Sequence, residues 1–207
     1  MLEPASRLRQ WLALALLASL LAGCAGQQAR VGGDASWAQH QARLQALDNW
    51  IAEGKLALRS TEISESASLN WQQTPTRTTV HLSGPMGFKA TTIESDGSEL
   101  ELRQGDEISR WDISDPEAMA RQTGWNLPLQ ALPHWLKGIP APVSGFERVA
   151  FDTDPSLLGI LQQEGWTVTY REYARFADLT LPTRLQIQQG DTSIRVIIRD
   201  WTIPGPL

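Results

Sequence analysis

Side chains able to do chemistry are few in this chain of 207 residues, and only one is placed to suggest a reaction. Cys24, the sole cysteine, ends the run Leu21-Ala22-Gly23-Cys24. A thiol behind small residues at the end of an apolar leader suits a single processing event rather than turnover. His40, His81 and His134 fall on separate segments without metal-ligand spacing, so no metal is expected. Carboxylates are scattered through turns and caps, where solvation explains them. No nucleophile elbow, phosphate loop or dinucleotide fingerprint occurs. Neither an enzyme nor a cofactor is therefore expected.

Around Cys24 the leader has the expected parts. Arg7 and Arg9 form a basic start, and residues 11–21 form an apolar stretch too short for a good membrane-spanning helix. Leu-Ala-Gly-Cys matches the lipobox at which bacterial lipoproteins are diacylated, cut before the cysteine and acylated again. The alternative is an ordinary secretory leader with a chance cysteine. Lipidation predicts three regions: a leader over 1–23, a tether over 24–35 and one domain over 36–207. The domain would hold no cysteine, so an exported fold must rely on its apolar core alone. Acyl chains contribute about 0.8 kcal/mol per buried methylene, enough in combination for durable anchoring. Ala25, rather than the Asp that commonly signals inner-membrane retention, follows the cysteine and favours the outer membrane.

A formal charge of −5 with dispersed Lys and Arg leaves no basic stripe, so nucleic acid is excluded as a partner. Nine tryptophans against four phenylalanines and two tyrosines point to a core or cavity built on amphipathic rings.

The elements that must position these residues are mostly strands. A cap at Asp34 or Ser36 predicts a helix to about Asp48, with Trp37, Leu44 and Leu47 on one face. Residues 50–59 read as a strand. Ala67, Leu69 and Trp71 alternate with polar residues, as do Thr78, Val80 and Leu82. Asp96-Gly97 is a type I′ hairpin signal between residues 91–93 and 99–102, and Gly105-Asp106 marks another turn. Helices are expected from Asp115 to Gly124 and over 129–137, the second stopped by Gly138. Strands return at 157–163, from Trp166, around Leu185 and Ile187, and through Ile194, Val196 and Ile198. Short turns throughout imply an antiparallel sheet with one wet face and helices over the other.

A series of Gly, Pro and Trp marks adds a likeness. It comprises Trp71-Gln72-Gln73, Ser83-Gly84-Pro85-Met86-Gly87, Gly124-Trp125-Asn126-Leu127-Pro128, Trp135-Leu136-Lys137-Gly138-Ile139-Pro140, Gly165-Trp166, Leu181-Pro182 and Trp201. With the lipobox, the order and spacing of these marks resemble the LolB family of outer-membrane lipoprotein receptors, from about Trp37 to Trp201.

The resemblance implies a mainly β (α+β) fold: a curved, incompletely closed antiparallel half-barrel with helices over its concave apolar face. It also implies a monomer in the outer membrane of a Gram-negative bacterium, facing the periplasm. Such a protein accepts triacylated lipoproteins from the periplasmic carrier LolA and places them in the inner leaflet of that membrane. One acyl chain of about 16 carbons is worth roughly 12 kcal/mol out of water, so it must pass from one dry cavity to another. Inward positions that could line such a cavity, or simply fill the core, are Leu56, Leu58, Leu69, Trp71, Val80, Leu82, Trp166, Val168, Ile194 and Val196.

Gly84, Pro85 and Gly87 would break the chain into a tight connection with Met86 at its tip. The family carries a protruding apolar residue there, typically Leu, tied to membrane delivery. Met86 is apolar and more flexible. The alternative folds it back onto the core. Two rivals to the receptor reading stand: a different lipid-binding envelope lipoprotein, and a scaffold lipoprotein without a cavity.

Overall fold

A computed structural model describes residues 28–61, 64–84, 90–114, 129–143 and 145–204. Helix α1 (Gln28–Gln45) leads into strands β1 (Trp50–Arg59), β2 (Ser64–Gln73), β3 (Thr78–Ser83), β4 (Thr91–Ser95), β5 (Glu99–Gln104) and β6 (Glu107–Asp112). The short helix α2 (Leu132–Lys137) follows. Strands β7 (Phe146–Phe151), β8 (Asp154–Gln163), β9 (Trp166–Phe176), β10 (Leu179–Gln189) and β11 (Thr192–Thr202) complete the chain.

All eleven strands form one sheet in the order β6-β5-β4-β3-β2-β1-β11-β10-β9-β8-β7. Every pairing is antiparallel. Two meanders meet where the first strand lies beside the last, and the edge strands β6 and β7 do not close onto each other. The sheet is thus open, as the half-barrel expectation requires.

The central seam is close. Opposite Gly54 the register of β1 and β11 shifts, and a Cβ there would stand 1.9 Å from the carbonyl oxygen of Ile197. No real Cβ tolerates that approach, so glycine is the residue that lets the two meanders join with this bend.

The apolar alternation predicts the buried face. Leu69, Trp71, Val80, Val168, Leu185, Ile187, Ile194, Val196 and Ile198 are all buried on the concave side. Trp37 and Leu44 of α1 are buried too, and Leu47 packs on the same core. Trp50 stacks on Trp71 with ring centroids 6.0 Å apart and tilts against Trp201 at 5.1 Å. All fully buried residues of this main core fall between Trp37 and Trp201.

Several local expectations need correction. Helix α1 starts at Gln28, before either proposed cap, and ends at Gln45. The helix expected over 129–137 is confined to α2, because Pro133 is favoured in a first turn and not further inside. Gly138 does end it, in the left-handed conformation at φ 84°. At the β4–β5 hairpin the register sets Gly97 and Ser98 at the tip, with Asp96 paired to Glu99. Only Gly97 takes positive φ there, whereas a type I′ turn needs it at both central residues, so the expected I′ turn does not form. The Asp96 carboxylate accepts hydrogen bonds from the Ser98 and Glu99 amides and so fixes that register. Strand β7 was not expected, since Phe146, Val149 and Phe151 do not alternate cleanly. The helix expected from Asp115 lies outside the described residues.

Candidate binding cavity

On the concave side the two halves of the sheet differ. Under β8 to β10 the space is filled: α1 packs on β8 and α2 on β10. There Leu158, Leu161, Val168, Leu181 and Ile187 have no exposed surface.

Polar bonds lock this filled half. The Gln163 side chain accepts from Trp135 Nε1 and from the Ala141 amide, both at 2.9 Å, and donates to the Ala141 carbonyl at 3.0 Å. The Tyr170 hydroxyl donates to the Trp135 carbonyl at 2.9 Å. Burial holds that phenol well above its ordinary pKa, so it stays a donor.

Under β1 to β6 and β11 the space is open. A cavity of about 1250 Å³ lies there, above the ~300–1,000 Å³ usual for a drug-sized ligand. Cross-strand register builds its floor in rows. Val196 stands opposite Leu56 and Ile194 opposite Leu58. Leu69 faces Leu82, and Trp71 faces Val80, which in turn faces Ile93. Leu100 faces Trp111 at the outer strand. Leu132, Pro133 and Leu136 of α2 form the opposing wall.

Polar residues sit at the two ends of this trough. Gln73, Thr78 and Ser95 close one, and Ser60, Thr61, Glu65 and Thr192 the other. Among the described lining residues Glu65 is the one carboxylate. His134 also lines the cavity, with its Nδ1 buried and lacking a hydrogen-bond partner. Burial, helped by the nearby Lys137 charge, pushes its pKa down to about 4, so the imidazole is neutral near pH 7. The described wall is therefore apolar and nearly uncharged, which suits a hydrocarbon ligand.

Eight of the ten sequence-predicted inward residues line the cavity: Leu56, Leu58, Leu69, Trp71, Val80, Leu82, Ile194 and Val196. Trp166 and Val168 do not. They sit in the filled half, where the Trp166 ring lies 6.5 Å from that of Trp135. Ile93, Leu100, Leu102, Trp111 and the α2 residues line the cavity without having been singled out. The period-two pattern of residues 91–102 could have marked the first three. Gly84 follows the end of β3, whereas Cys24, Pro85, Met86 and Gly87 lie outside the described residues.

The open antiparallel sheet around an apolar trough is a fold that a distant solved structure shares. That structure, a LolA superfamily protein from Nitrosomonas europaea, has a similar fold with TM-score 0.51 at 7% identity, over 84% of this chain and 94% of that one. Residues 48–201 match the family described as outer membrane lipoprotein LolB. The chain is 39% identical to an outer-membrane lipoprotein LolB from Chromohalobacter salexigens over 94% of its length and 91% of the relative's. It is 38% identical to one from Pseudomonas paraeruginosa over 94% and 96%. The chain belongs to the LolB family of outer-membrane lipoproteins.

Proposed function

We propose that this domain is a receptor for lipoproteins: it takes their acyl chains from the carrier LolA into the trough and releases them into the inner leaflet of the outer membrane. Cys24 carries its own lipid anchor, and the domain faces the periplasm as a monomer. Transfer needs no covalent step, since its direction can come from successively tighter sites ending in the bilayer. The observation that carries this reading is the half-empty concave face. Eight apolar side chains identified from the sequence line unfilled space beneath a sheet that is otherwise packed solid. A scaffold lipoprotein has no use for that space.

Met86 delivers the cargo in this reading, inserting its apolar side chain into the bilayer. The functional test uses the soluble chain from Ala25 onward, which retains the whole described core. An apolar fluorescent probe should bind it and be displaced by a triacylated lipoprotein, but not by the same lipoprotein stripped of lipid. Displacement by free phospholipid alone would shift the reading to general lipid binding. Failure to bind the probe would leave the scaffold.

A further inference from the structure

The two edges of the sheet are not equivalent. Strand β7 borders the filled half, where Arg148 lies 4.8 Å over the Trp37 ring of α1. Strand β6 borders the cavity: Trp111 lines it, and the wall continues through Ile113, Leu129 and Gln130.

The hydrogen-bond phase of β6 can be read directly. The Ile113 amide donates to the Ser98 carbonyl at 2.8 Å, so Ile113 and Ser98 form a hydrogen-bonded pair. Antiparallel pairs alternate, which turns the amides and carbonyls of Trp111 and Ser109 toward β5. Those of Ile108, Arg110 and Asp112 point the other way. Among the described residues, nothing pairs with that outer edge. Ile108 is 47% exposed beside it. An edge without a strand partner among the described residues is a template for an added strand.

We infer that the outer edge of β6 takes the polypeptide that follows the acylated cysteine of the cargo, as a short added β-strand. This rests on the receptor reading above. Acyl chains lying against Trp111 leave their parent polypeptide at the rim that β6 forms. Its extended backbone can there meet the amides and carbonyls of Ile108, Arg110 and Asp112. Main-chain bonding ignores side-chain identity, so one receptor could hold cargoes of unrelated sequence. The acyl chains supply affinity, and the strand fixes where the protein part hangs.

The test uses two synthetic peptides of about ten residues, each with a triacylated cysteine at its N-terminus. One has an ordinary backbone, and the other is N-methylated at alternate residues. Both compete with the apolar probe on the soluble chain from Ala25 onward. The ordinary peptide is expected to bind about tenfold more tightly, the effect of losing one or two net hydrogen bonds. Ile108→Pro, which removes an outward amide without touching the β5 pairing, should narrow that gap. Equal displacement by both peptides overturns the strand inference and leaves the cavity reading intact. A gap unchanged in Ile108→Pro also overturns it, because the effect then arises elsewhere. If neither peptide displaces the probe, the receptor reading itself fails.

Discussion

Lys137 of α2 donates from Nζ to the Leu44 carbonyl at 2.8 Å, and to the Leu47 carbonyl at 2.9 Å. One helix on the concave face thus caps a last-turn carbonyl of the other and one just beyond its end, where a cation also suits the helix dipole. Burial pushes the ammonium down to about 8, with the Asp48 charge opposing that shift, so it keeps its charge at neutral pH. Lys137→Met should remove the donor of the Leu47 carbonyl, leave the Leu44 carbonyl only the 3.3 Å bond from the Leu47 amide, and cost about 2 kcal/mol. Urea unfolding would show a lower midpoint with unchanged slope. An unchanged midpoint would mean that the helices hold together by packing alone.

The seam between β1 and β11 depends on the missing side chain at Gly54. Gly54→Ala should cost about 2–4 kcal/mol, because the backbone carbonyl of Ile197 must retreat. Gly145→Ala, where an added Cβ meets nothing within 4 Å, is the control and should stay within about 0.5 kcal/mol. Thermal unfolding of the two variants checks the contrast.

His134 predicts an acid weakness. Its folded pKa is about 4, below its ordinary value of 6.5, so between these pH values the unfolded chain binds more protons than the folded one. Stability contributed by the neutral ring is present above pH 6.5 and lost as pH falls toward 4. Replacing it, as in His134→Gln, should flatten the melting temperature across that interval relative to the parent. Parallel profiles for the two proteins would assign the acid sensitivity to other groups.

Cavity and core can be separated by substitution. Leu58→Trp adds bulk to a half-buried lining position and should weaken probe binding severalfold while changing stability by less than about 1 kcal/mol. Val168→Ala removes packing in the filled half and should cost about 2 kcal/mol with probe affinity intact. Fluorescence titration beside urea unfolding on each variant measures both quantities.

Delivery is expected to depend on Met86. Met86→Glu should fold, take up cargo and yet release it slowly, since a carboxylate resists insertion among acyl chains. Transfer into liposomes at the parent rate would show that the tip plays no part.

Sequence patterning made much of this fold legible, for reasons visible in particular residues. Leu69-Asn70-Trp71 and Val80-His81-Leu82 each alternate cleanly, so their inward faces could be read before any pairing was known. What alternation does not encode is the depth of filling above a strand. Val168 and Val196 have the same pattern, yet one lies in solid core and the other lines the cavity, because α1 and α2 pack directly on β8 and β10 while α2 meets the other half only as the far wall of the cavity. Strand β7 escaped notice for a related reason. At the edge, Val149 is 56% exposed and its register to β8 shifts at Ala150, which blurs the period. The β4–β5 turn type was decided by the Asp96 side chain and the strand register, neither of which a dipeptide signal contains.

The most direct measurement of the central claim starts from LolA loaded with a triacylated lipoprotein and adds the soluble chain from Ala25 onward. Separating the two proteins then shows which one holds the cargo. The receptor account predicts that the cargo moves to this protein, and that Leu58→Trp slows the move while Val168→Ala does not. Cargo remaining on the carrier, with the chain folded and able to bind the apolar probe, would contradict it.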